Sequence, residues 1–125
     1  MSQDHIQQLK YLLEQALAEN SEVQGATIVS TQGLPITSLM DREANEGIIS
    51  AMTAAIQSVS MRASEELHRG TLERILLEGD QGIMIMCAAG ENAILVTLVE
   101  KNASLGLIFM LMSSLAKKIA KTLED

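Results

Sequence analysis

Residues 71–125 read TLERILLEGDQGIMIMCAAGENAILVTLVEKNASLGLIFMLMSSLAKKIAKTLED, and this run decides the fold. Residues 71–79 hold Leu72, Ile75, Leu76 and Leu77 among charged neighbours. Residues 82–89 (GIMIMCAA) are apolar throughout, and residues 92–99 (NAILVTLV) are nearly so. Asp80-Gln81-Gly82 and Gly90-Glu91-Asn92 are hairpin-length breaks made of residues that tight turns need. The pattern predicts three strands in an antiparallel meander, followed by a helix. The second and third strands lack the apolar–polar alternation of a sheet with one wet face, so both of their faces should be covered. The first is the most polar, through Glu73, Arg74 and Glu78, which suits an edge. Ile75, Leu76 and Leu77 nevertheless leave that edge oily.

The remainder of the chain supplies the covers. Residues 4–20 predict an amphipathic helix with Ile6, Leu9, Leu13, Ala16 and Leu17 on one face. Asp4 is placed to cap it, with Gln7 in the capping-box position. Residues 23–30 (VQGATIVS) read as a short β-branched strand, Gln32-Gly33 as a two-residue hairpin turn, and residues 34–40 (LPITSLM) as the partner strand. Pro35 cannot donate to a ladder, which puts that partner at a sheet edge.

A long helix is expected over residues 41–67, capped by Asp41, with Glu43 and Glu46 in a first turn that favours negative charge. Ile48, Met52, Ala55, Ile56, Val59 and Ala63 mark its expected buried face. Beside them Ala51, Ala55 and Ser58 form a narrow row of small residues through which a second helix could approach. His68-Arg69-Gly70 should end the helix, with Gly70 in the C-terminal capping place. Asn102 is the expected cap of the last helix, residues 103–123, whose buried stripe is Leu105, Ile108, Met112, Leu115, Ile119 and Leu123. Lys117, Lys118 and Lys121 complement its C-terminal dipole and read as a solvated face. The element order α-β-β-α-β-β-β-α predicts an α/β fold of the α+β kind, a five-stranded antiparallel sheet sandwiched between helices, as a single domain over residues 1–125.

With 47% hydrophobic residues the chain is globular, but it has one Phe, one Tyr and no Trp, so the core must be aliphatic, with eight Met filling gaps. A net charge of −7 and the scarcity of aromatic side chains exclude the electrostatics and stacking that nucleic acids require. No basic-then-apolar leader opens the chain, and the apolar run at 105–112 is too short to insert across a bilayer. Cys87 stands alone, so it forms no internal disulfide, and a reducing, cytoplasmic setting is expected.

Catalytic motifs are missing. His5 and His68 have no partner at metal-ligand spacing, so no metal is expected. There is no phosphate-cradling Gly-rich loop ending in Lys-Ser/Thr, and no Gly-x-Ser-x-Gly elbow. Cys87 lacks a neighbouring His or helix N-terminus to activate it and reads as an inert core thiol. The acidic Ser64-Glu65-Glu66 run reads as solvated. No catalytic residue and no cofactor are expected.

Several local patterns resemble the Roadblock / dynein light chain family, in the same order and over nearly the whole chain. They are Gly25-Ala26-Thr27-Ile28-Val29 with Gly33-Leu34-Pro35-Ile36, the helix Ile48-Ile49-Ser50-Ala51-Met52-Thr53-Ala54-Ala55, the strand Leu72-Glu73-Arg74-Ile75-Leu76-Leu77-Glu78, and Ala103-Ser104-Leu105-Gly106-Leu107. The resemblance implies a non-catalytic domain, here a minimal member, that dimerises by pairing the strand after the long helix, with the two long helices side by side. On this chain that implies a homodimer interface of Ala51, Ala55, Ser58, Leu72, Glu73, Arg74, Ile75, Leu76 and Leu77. It further implies a small Ras-like GTPase as partner, bound on the outer side of the long helix, where Glu46, Ser50, Thr53, Ala54 and Gln57 are expected to be exposed. An alternative is a GTPase-activating protein proper, with Arg42 or Arg69 offered to the nucleotide. A different class, a small-ligand sensor module, would need a polar cavity at the sheet centre near Cys87 and Thr97.

Overall fold

In the computed structural model, residues 2–40 and 44–125 are described. The elements are α1 (Gln3–Glu19), β1 (Val23–Ser30), β2 (Pro35–Leu39), α2 (Glu46–Glu66), β3 (Ile75–Gly79), β4 (Gly82–Ala88), β5 (Ala93–Val99) and α3 (Leu105–Glu124). This is the expected order, and the strands form one antiparallel sheet ordered β2-β1-β5-β4-β3. Pro35 therefore lies on an edge strand, as its missing N–H requires. The meander pairs Gly79 with Gly82 and Ala88 with Ile94, so its turns fall where the Gly-containing breaks predict.

Alternation along the strands divides the core between two faces. Ile83, Ile85, Leu95 and Val99 point to the face covered by α1 and α3, where they meet Leu9, Leu13, Ile108 and Ile119. Met86, Ile94 and Val96 point to the other face, toward Ile56 of α2. α2 packs on β1, β2 and β5. Over the β3–β4 side of the same face Leu77 is exposed and Met84, its partner in register, is only half-buried. The covering of the two faces is thus unequal.

Element ends differ from the sequence reading in ways that local chemistry explains. α1 is capped by Ser2, whose hydroxyl accepts from the His5 N–H at 3.2 Å; Asp4 instead sits in the first turn. α2 starts at Glu46, and Asn45 Oδ1 accepts from the Ile48 N–H at 3.0 Å. The expected cap Asp41, with Arg42 and Glu43, lies outside the described residues. α2 ends without using Gly70 as its cap. His68 takes the left-handed conformation (φ 55°), its N–H donates to Glu65 O at 3.1 Å, and Arg69 N–H donates to Ser64 O at 2.8 Å. That is a Schellman closure with a non-glycine at its left-handed position.

The β1–β2 connection is longer than a two-residue turn. Ser30 N–H donates to Leu34 O at 2.8 Å, closing a loop over Thr31, Gln32 and Gly33 in which Gly33 has φ 92°. A Cβ on Gly33 would lie 3.5 Å from Ala51 Cα, so the loop rests against α2 at a small residue. β3 begins at Ile75, not at 71: Ile75 pairs with Met86, and Leu72, Glu73 and Arg74 precede the ladder. α3 begins at Leu105 rather than after an Asn102 cap. The Glu22 carboxylate accepts from the Ser104 N–H at 3.1 and 3.3 Å, placing an anion at this helix start.

Candidate interaction surface

α2 presents the reverse of its expected face. Ile48, Met52 and Val59 are 56%, 52% and 69% exposed, and Ala51, Ala55, Ser58 and Ala63 beside them are not turned to the core: Ala51, Ala55 and Ser58 are exposed and Ala63 is exposed too. The face turned to the sheet carries Ser50, Thr53 and Gln57, all buried. Of the expected buried stripe, Ile56 alone reaches a core cluster, as a half-buried neighbour of Met86 and Ile94. The helix packs through short and polar side chains, which allows close approach to the sheet. The positions 50, 53 and 57 follow helical spacing as faithfully as 48, 52, 55 and 59 do, and hydrophobicity alone selected the wrong row.

The inversion corrects the expected partner-binding set. Ser50, Thr53 and Gln57 are buried and Ala54 is half-buried, so the expected exposure holds for Glu46 alone, which accepts from the Ser38 hydroxyl at 2.6 Å. Thr53 Oγ1 and Gln57 Oε1 are buried with no hydrogen-bond partner among the described residues.

The second half of the surface is the sheet edge. β3 ends the strand order and has no neighbour on its outer side among the described residues. Leu76 and Leu77 are 41% and 51% exposed, on opposite faces of that edge. Ile75 is half-buried, Leu72 likewise, and Glu73 and Arg74 are exposed just before the strand. A row of free N–H and C=O groups with two leucines is the kind of edge that soluble proteins usually blunt. Alongside it, the second half of α2, the 70–72 segment and the β4–β5 turn enclose an open groove of about 1260 Å³ that includes Gln57, Met61 and Ile94.

Among the described residues, no group of His, Cys, Asp and Glu side chains could hold a metal ion. Cys87 is half-buried, and burial pushes its thiol pKa up, against a smaller downward pull from the Arg74 charge. Arg69, a candidate for action on a nucleotide, donates through Nε to Leu67 O at 2.9 Å and so ties off the end of α2. No described helix is long and apolar enough to cross a membrane.

The Roadblock/LC7 domain family matches residues 9–99. The chain belongs to the Roadblock/LC7 family. The match runs from the middle of α1 to the end of β5. Relatives include two proteins of Methanocaldococcus jannaschii, MJ1340 and MJ0310, each 34% identical over 110 residues that cover 88% of this chain and 94% of theirs. Solved structures share the fold at lower identity. "MglB with tetrameric arrangement" superposes with a TM-score of 0.87 at 17% identity, over 99% of this chain and 93% of that one. The gliding protein MglB of Thermus thermophilus gives 0.85 at 16% identity, over 99% and 94%. A Roadblock/LC7 domain from Streptomyces avermitilis is 26% identical, with a TM-score of 0.69 over 94% and 99%. On this Roadblock/LC7 fold, α2 and the β3 edge carry exposed apolar side chains side by side with the open groove.

Proposed function

We propose that this Roadblock/LC7 chain is a non-catalytic homodimeric regulator or scaffold for a small Ras-like GTPase. A second copy would add its β3 to the free β3 edge and lay its α2 beside the exposed Ile48–Met52–Val59 row. The observation that carries this reading is that row, a large apolar stripe on the outside of a helix whose inner face is polar. Contiguous exposed apolar surface of this kind marks interaction sites in soluble proteins. Antiparallel pairing of two β3 strands about a two-fold axis keeps both α2 helices on one side of the joined sheet. Ala51, Ala55 and Ser58 on α2, with Leu72 through Leu77 on the edge, then form the interface.

The GTPase partner follows from family resemblance, and its docking face is the outer side of the paired α2 helices around Glu46. The acidic chain, net −7, suits a basic patch on such a partner and would raise the association rate. The assembly is tested by sedimentation of the wild-type chain against Val59→Glu and Leu77→Glu. The wild type sediments as a dimer and each variant as a folded monomer; a wild type that stays monomeric at tens of micromolar overturns the reading. The GTPase arm is tested by co-elution with a Ras-like GTPase encoded beside this gene, in both nucleotide states. Failure to co-elute in either state removes that partner and leaves the dimer standing. Stimulated hydrolysis that Arg69→Ala or Arg42→Ala abolishes would instead establish the chain as an activating protein in its own right.

A further inference from the structure

The outer side of α3 carries a groove whose charge is opposite to that of the chain. It encloses about 530 Å³, and its walls include Arg74, Phe109, Met110, Ser113, Lys117 and Lys118. Its lining holds three cations and no carboxylate among the described residues, in a chain of net charge −7. Helix α3 itself has no acidic residue before Glu124. Among the described residues, none of the three cations has a carboxylate within ion-pair distance; the ion pair found there is Arg62 with Glu66 on α2. Arg74 lies 4.3 Å from the centroid of the Phe109 ring, which fixes its guanidinium along the groove wall. Its apolar lining is Phe109, half-buried, and Met110, 71% exposed; Leu107, one turn earlier on α3 and outside the lining, is 61% exposed.

We propose that this groove docks an acidic, amphipathic segment of a partner protein. An apolar side chain of that segment sits against Phe109 and Met110, and its carboxylates reach Arg74, Lys117 and Lys118. Charge complementarity selects this occupant. A short acidic segment feels the local field of the three cations, because charges beyond a Debye length of about 8 Å are screened at physiological salt. An anionic bilayer would have to approach along a broad front and so meet the net negative charge of the whole chain. The site lies on the opposite face of the sheet from α2, and its Arg74 belongs to the segment before β3 that the proposed dimer would also engage, so Lys117 and Lys118 on α3 carry the test.

The test is a titration of the isotope-labelled full chain, in its natural oligomeric state, with a short amphipathic peptide of Leu, Phe and Glu. Amide shifts centred on Phe109, Met110, Ser113 and Lys117 support the proposal, provided that they shrink with added salt. Lys117→Glu combined with Lys118→Glu should weaken binding by at least about tenfold. Both side chains are exposed, so the variant should keep the wild-type melting curve. The same peptide with Lys in place of Glu should not bind. No shifts at millimolar peptide, equal binding of the Lys peptide, or binding of phosphatidylserine vesicles through these residues in place of the peptide would each overturn it.

Discussion

Thr97 on β5 donates its hydroxyl to the sulfur of Met112 on α3 at 3.1 Å. Both side chains are buried, at 2% and 3% exposure. The contact joins the middle of the sheet to the helix above it and gives the hydroxyl an acceptor inside an aliphatic core. Thr97 was one of two polar side chains that a ligand cavity at the sheet centre would have used; here it is engaged by a core methionine. Sulfur is a weak acceptor, so the pair contributes mostly through packing. Met112→Ala should lower the unfolding free energy by about 2–5 kcal/mol, and Thr97→Val should change it by less than about 1 kcal/mol. Urea unfolding followed by circular dichroism reads both.

On the other face, Thr53 is fully buried under α2 and its hydroxyl has no partner among the described residues. Valine has the same shape and nothing to satisfy. Thr53→Val should therefore stabilise the chain by about 1 kcal/mol, because a buried polar group without a partner carries its full desolvation cost. The midpoint of urea unfolding should rise with no change in slope.

His68 holds φ at 55° to close α2, a conformation that suits glycine. His68→Gly should raise stability by about 1 kcal/mol by removing the left-handed penalty. His68→Val should lower it by at least as much, since a β-branched residue resists positive φ. The pair of variants, compared in one denaturation series, separates backbone strain from loss of the imidazole.

Cys87 provides a pH signature. Burial raises its thiol pKa above the ordinary value of 9.0, with Arg74 pulling the other way. The unfolded chain therefore loses this proton first as pH rises, and the folded chain binds more protons in that window. The stabilisation is complete below the unfolded pKa and is lost as pH climbs through the folded one. Stability should fall on the alkaline side of about pH 9 and fall less in Cys87→Ala. Native Cys87 should also react slowly with thiol reagents at neutral pH and rapidly once the chain is unfolded.

Much of the architecture was legible because it rests on short-range rules. Pro35 on an edge strand, Gly-containing breaks between apolar runs, and the Ile108–Met112–Leu115–Ile119 stripe each follow from a backbone constraint or a repeat period. The ends of elements were less legible. Ser2, Asn45 and His68 hold the capping positions, where residue type alone gave Asp4 and Gly70 as good a chemical claim as Ser2 and His68. The candidate interaction surface was half legible. The oily edge at Leu76 and Leu77 could be read directly, whereas the α2 face was read inside out.

The sequence by itself determined the order of elements, the antiparallel meander, the acidic surface and the absence of a recognisable catalytic motif, because each depends on residue type and local spacing. Only the tertiary structure decided which side of α2 meets the sheet. Ser50, Thr53 and Gln57 lie against it while Ile48, Met52 and Val59 face outward. Helical periodicity defines opposite faces but does not say which one the sheet takes; that depends on how closely a helix must approach the strands beneath it.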